Sequence, residues 1–217
     1  MTPYTYSVEI MPEETFRFEC RNCGDCCRNV RGAVMIESLD LFRLARHLKK
    51  DLAEVAEQCA EAVSLSWGAP ILVMKTKPVG DVCVYLKSGR CGIQPAKPRT
   101  CRLYPMSMGP DDKDLKEVRV FKSSERAFHY TGPEHQTGEW VAANMDDESY
   151  NYIITEYRLL RELGKIMRRI PRDREDAVNW QMLRYRYFLF ETDQDFMPQY
   201  VRNMARLKLE LEQLTKL

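Results

Sequence analysis

The sequence predicts an α+β fold in two parts. Residues 1–125 read as a small cysteine-rich domain of short strands, a hairpin and two helices. Residues 126–217 read as a mostly helical C-terminal region packed on it. Three observations predict this. Seven of the eight cysteines fall in two groups, Cys20 to Cys27 and Cys83 to Cys101, and none follows Cys101. The segments around those groups are short, and either alternating or wholly apolar, with Gly and Pro between them, as strands and turns require. From about Glu148 onward, apolar residues instead recur at helical spacing.

Along the chain, Phe16 to Cys20 (FRFEC) alternates apolar and polar and predicts a strand leading into the first cysteine group. Gly32 to Ile36 predicts a strand or buried turn. A helix follows with Ser38 as N-cap and Leu41, Leu44, Ala45 and Leu48 on one face. A second helix starts at Asp51, with Glu54 three residues later in the pattern of a capping box. Leu52, Val55, Ala56, Cys59 and Val63 line its apolar face, so Cys59 reads as a small buried hydrophobe. Ala69 to Met74 predicts a buried strand. Val82 to Ile93 predicts a hairpin, with Val82 to Leu86 as first arm, Ser88-Gly89 as turn and Cys91-Gly92-Ile93 as return. That hairpin brings Cys83 and Cys91 together. Pro95 to Pro105 holds three prolines and is expected to be a rigid loop presenting Cys101. Glu117 to Ser124 predicts one more strand.

In the helical region, Ile153, Ile154, Tyr157, Leu160, Leu163, Ile166, Met167 and Ile170 keep helical spacing until Pro171 stops the run. A further helix is expected over roughly Arg174 to Glu191, carrying Val178, Met182, Tyr185 and Phe188. The last begins near Pro198, and its Met204, Leu207, Leu211 and Leu214 predict a seam against the preceding helix.

Composition narrows the function. The formal net charge is +1, which favours neither a nucleic-acid nor a membrane partner. No apolar run approaches the roughly 20 residues that span a bilayer. The opening MTPYTYSVEIMPEE has no basic n-region and no apolar h-region, so a cytoplasmic location is expected. Disulfides are rare there, and clustered thiols then point to metal binding first and redox chemistry second. The basic stretch Arg161 to Glu175 reads as a solvated helix end. Asn179 to Phe190, where aromatics interleave with Arg184 and Arg186, reads as core rather than a base-stacking surface. Hydrolase, Walker and metalloprotease motifs are absent.

Cys20, Cys23 and Cys26 follow the spacing C-x2-C-x2-C, the first three ligand positions of a bacterial ferredoxin run. Two intervening residues let a turning loop aim successive sulfurs at one centre, and Gly24 permits close backbone approach. The run then departs from ferredoxin, because Cys27 follows Cys26 directly. Cys83, Cys91 and Cys101 supply three more thiols. The candidate metal ligands are therefore Cys20, Cys23, Cys26, Cys27, Cys83, Cys91 and Cys101. A tetrahedral zinc takes four thiolates, as does a [4Fe–4S] cluster. Seven exceed one site, which favours an iron–sulfur or polynuclear centre over a structural zinc. Arg28, Arg99 and Arg102 flank the thiols and are expected to offset the negative charge of a thiolate-bound cofactor. The three histidines form no metal-finger pair.

FECRNCGDCCRN together with GRCGI and KPRTCRLYP resembles the CxxCxxCC cysteine-cluster family, also called YkgJ-like, whose members are described as zinc- or iron-chelating. In the second part of the family pattern, Cys83, Leu86, Gly89, Cys91, Ile93, Pro98, Cys101, Arg102, Tyr104 and Pro105 fit. Gln94 stands where a Tyr is usual and Lys97 where an Arg is usual, and neither is a ligand position. The likeness covers roughly Phe16 to Pro105. It implies bound zinc or iron, and many members are labelled iron–sulfur proteins. The same domain occurs in the longer flagellin lysine N-methylases, which implies a methyltransferase as an alternative. No glycine-rich strand–loop–helix is present here to hold S-adenosylmethionine. The remaining alternative is a structural zinc module whose C-terminal helices bind a protein partner.

Overall fold

Glu37 ends the strand Met35–Ile36 and starts helix α1 (Ser38–Leu48). Its backbone N–H donates to Asp40 Oδ2 at 3.2 Å, so the cap sits one residue before the predicted Ser38. The structure is a computed structural model and describes residues 7–64, 69–111, 118–123 and 127–216. Helix α2 (Leu52–Cys59) begins after the predicted cap Asp51, although the Asp51 side chain makes no capping bond. Leu41, Leu44, Val55 and Cys59 are fully buried, as their spacing predicts. Helix α2 runs straight into the strand Ala60–Val63. That strand and Met35–Ile36 flank Ile71–Met74 in an antiparallel three-stranded sheet.

The predicted hairpin divides in two. Val82–Cys83 pairs with Thr76–Lys77, and Leu86–Lys87 pairs with Arg90–Cys91. Ser88 and Gly89 have φ of 48° and 77°, the left-handed pair of a tight hairpin turn. The expected rigid loop from Pro95 to Pro105 instead contains a 3-10 turn, Gln94–Ala96, and a short helix α3 (Arg99–Leu103). The prolines bracket this helix rather than interrupt it. Pro98 caps it, where no N–H is needed, and Pro105 lies beyond its end.

Met106–Pro110 pairs with Val118–Ser123, which also pairs with Ser7–Glu9. The ends of the predicted strand at Glu117 and Ser124 lie outside the described residues. Thr15–Arg17 pairs with Glu134–Gln136 and leads across to helix α4 (Thr137–Asn144). Helix α5 (Asp147–Met167) is capped by Asp146, whose carboxylate accepts from Ser149 N at 2.8 Å. The helix expected over Arg174 to Glu191 is α6 (Glu175–Leu183), continued by a widened π turn, Arg184–Phe188. This turn buries Arg186, which donates to Glu156 and to Pro70 O, both at 2.6 Å. Tyr185, Tyr187 and Phe190 of the aromatic–arginine run are buried with it, while Trp180 and Arg184 are exposed. Helix α7 (Phe196–Leu214) buries Met204, Leu207 and Leu211.

One apolar core joins Ile36, Leu41 and Phe42 to Leu163, Met182 and Leu207. A smaller cluster of Ile10, Phe16, Phe18 and Met106 packs with Tyr104 and Trp140. Among the described residues, no helix is long and apolar enough to cross a membrane.

Candidate metal centre

The first cysteine loop leaves the smaller apolar cluster at Phe18, whose N–H donates to Pro133 O at 3.1 Å. Beyond it, Cys20 and Cys23 are exposed. Gly24, at φ 75°, turns the chain into the 3-10 turn Asp25–Cys27. A Cβ on Gly24 would lie 2.7 Å from Leu86 Cδ1 and 2.8 Å from Gly89 O. The loop therefore rests directly on the hairpin that carries Cys91. Its exit is tied to the segment before Cys83, with Asn29 N donating to Gly80 O at 3.2 Å and Val30 N to Asp81 O at 2.9 Å.

Cys101 comes from α3, which is fixed to α1 by a buried network. Arg99 N donates to Asp40 Oδ1 at 2.9 Å. The Arg99 guanidinium spans both Glu37 oxygens at 2.7 and 2.6 Å and reaches Met108 O at 3.1 Å. Burial, followed by the neighbouring Glu37 charge, pushes Asp40 up to about 7.

These segments enclose two adjoining hollows. The inner one, about 140 Å³, is lined by Cys26, Cys27, Cys83, Cys91 and Cys101, with Val30, Val34, Met74 and Ile93 among its apolar walls. The outer one, about 230 Å³, is lined by Cys20 and Cys23 and shares Cys26, Cys27 and Cys91 with the inner. All seven candidate cysteines thus line the two hollows. Cys59 lies in the apolar core, and all eight cysteines are free thiols.

The thiols of the inner hollow influence one another. Hydrogen bonds with Cys26 and Cys91 hold the Cys27 proton far above its ordinary range. The same Cys27 contact outweighs burial and draws Cys91 below the usual thiol value. Burial, then the charges of Cys26 and Cys83, pushes Cys101 up. Burial likewise raises Cys83. A metal entering this hollow must displace these protons, and its affinity will rise with pH accordingly. A sheltered, sulfur-rich donor set of this kind fits zinc or iron.

The flanking arginines are placed differently. The Arg99 guanidinium is committed to Glu37 and Met108 O, and acts on Cys101 by holding α3. Arg102 donates to Ser149 Oγ at 3.0 Å and lies 3.9 Å from Asp146. Arg28 is exposed.

Sequence reasoning missed two residues of the outer hollow, Asp25 and His129. His129 is delivered by the 3-10 turn Ala127–His129, and its Nδ1 is hydrogen-bonded to Tyr104 OH. The ligand atoms of Cys23, Asp25 and His129 all lie within 4.8 Å of one another. Asp25 stood in plain view between Cys23 and Cys26. No spacing in the sequence announces His129.

No solved structure matches this chain. A family model, CxxCxxCC, described as "Putative zinc- or iron-chelating domain", matches residues 19–135. That span begins just before Cys20 and takes in every cysteine lining the hollows as well as Asp25 and His129. The convergence of those thiols and the match over more than half of the chain agree, and the protein belongs to the CxxCxxCC zinc- or iron-chelating family.

Proposed function

We propose that this chain is a cytoplasmic iron–sulfur protein whose cluster, of the [4Fe–4S] type, sits in the inner hollow. The ligands come from Cys26, Cys27, Cys83, Cys91 and Cys101. The observation that carries this reading is the lining of one sheltered hollow by five thiols, more than the four that a single tetrahedral zinc takes. The apolar walls support the same reading, since a dry shell protects and tunes such a cluster. When bound, the cluster supplies one-electron transfer. The chain's own residues hold it, exclude water and link the Cys20–Cys27 loop, the hairpin and α3 into one unit, so that metal binding adds to folding stability.

The test is a serine panel on protein purified without oxygen. Cys91→Ser and Cys101→Ser should each lower iron and sulfide content and bleach the visible absorption. Full iron retention in both variants would contradict the assignment.

A further inference from the structure

We propose that the outer hollow holds a second, mononuclear divalent-cation site made by Cys23 Sγ, the Asp25 carboxylate and His129 Nε2, separate from the inner thiols and suited to Zn²⁺. This does not depend on which metal the inner hollow takes.

Ligand atoms from all three residues lie within 4.8 Å of one another. A tetrahedral zinc with bonds of about 2.0–2.3 Å sets its ligands about 3.3–3.8 Å apart. Small side-chain rotations close that difference, and Cys23 is exposed and able to make one. The donors are a thiolate, a carboxylate and an imidazole, the three side-chain types that zinc accepts.

His129 is oriented as a metal-binding histidine is. One ring nitrogen, Nδ1, is engaged by the Tyr104 hydroxyl. The other, Nε2, faces Asp25 Oδ2 at 3.9 Å, longer than a hydrogen bond but short enough for one cation to bridge. A partner on the remote nitrogen fixes the tautomer and the ring plane of a ligating histidine. Tyr104 is itself held against Phe18, ring centroids 5.7 Å apart, in the cluster that anchors the cysteine loop. Both halves of the site are therefore fixed to one support. Cys20 lines the same hollow, but its thiol is 3.8 Å from Asn22 Oδ1 and it does not belong to the trio. Three protein ligands leave a fourth position facing the hollow, the arrangement of zinc sites that bind water or a small ligand.

The experiment is zinc stoichiometry and affinity by titration with Zn²⁺ against a competing chelator, on full-length protein with iron and sulfide measured in parallel. His129→Gln and Asp25→Asn should each lose one zinc equivalent, with iron, sulfide and circular dichroism unchanged. Tyr104→Phe, which keeps the ring but not the hydroxyl, should keep that equivalent and bind it about 10–100-fold more weakly. With Co²⁺ as probe, wild type should show a thiolate charge-transfer band that Cys23→Ser abolishes. If the inner hollow proves to hold zinc instead of iron, the one-equivalent difference should persist alongside the separate loss caused by Cys101→Ser. Unchanged zinc stoichiometry in both His129→Gln and Asp25→Asn overturns the proposal, as does a wild type that binds no zinc outside the inner hollow.

Discussion

Gly24 lies so close to Gly89 that a single added methyl on Gly24 would meet the Gly89 carbonyl oxygen at 2.8 Å. One residue belongs to the first cysteine loop and the other to the turn of the hairpin that ends in Cys91. Their contact sets the distance between the two cysteine groups. Gly24→Ala should therefore act twice. The left-handed backbone alone costs about 1–2 kcal/mol, and the new Cβ pushes the loop off the hairpin. The expected result is a lowered melting temperature together with reduced metal per chain. A variant that melts earlier but loads metal fully would show that the contact serves folding only.

Arg99 and Glu37 form a buried ion pair whose side chains are 6% and 10% exposed. Removing one partner strands the other charge. Arg99→Met should cost about 3–5 kcal/mol, read as a shift in the denaturation midpoint. Because Arg99 opens α3, metal content should fall with it. A loss below about 1 kcal/mol, the range of a surface pair, would mean the pair is not buried in solution.

Cys59 is the control among the thiols. It is fully buried in the apolar core. Cys59→Ala should cost about 1 kcal/mol, as other small core deletions do, and leave iron content unchanged. Loss of iron equal to that in Cys101→Ser would bring Cys59 into the ligand set.

Asp146 caps α5 and pairs with Arg43 at 2.9 Å. Burial alone would raise its pKa, but hydrogen bonds from Arg43 and Ser149 outweigh that and hold it at about 2. A carboxylate depressed below its ordinary value of about 3.9 contributes stability that is complete above that pH and lost as pH falls through the folded value. Asp146→Ala should thus destabilise by about 0.5–2 kcal/mol near neutrality, the usual worth of a cap. The gap to wild type should narrow between about pH 4 and pH 2. Asp146→Asn, which can still cap, should lose less. A gap independent of pH would show that the Arg43 pair contributes nothing.

The parts of this fold that were legible in the sequence are those governed by local pattern. Helices α1, α2, α5 and α7 follow from apolar periodicity, and Cys59 from its place on the α2 stripe. The cysteine group from Cys20 to Cys27 stood out because four thiols within eight residues are themselves the signal. What failed was decided at long range. The hairpin from Val82 divides because Val84 N donates to Lys75 O at 3.2 Å, a strand partner no local rule supplies. The π turn after α6 lets Arg186 reach Glu156, thirty residues earlier. His129 reaches the outer hollow from a separate 3-10 turn, where its Nδ1 is hydrogen-bonded to Tyr104 OH. Helix α3 was hidden by its prolines, because Pro98 stands at its N-cap, where no N–H is needed, and Pro105 lies beyond its end.

The most direct measurement is iron and acid-labile sulfide per chain, with a visible absorption spectrum, on protein purified without oxygen. The account predicts iron and sulfide in near-equal amounts and a broad visible absorption, bleached on oxidation, as a thiolate-held iron–sulfur cluster gives. Colourless protein with stoichiometric zinc in the inner hollow and no sulfide would contradict it, and would make these cysteines a structural zinc module.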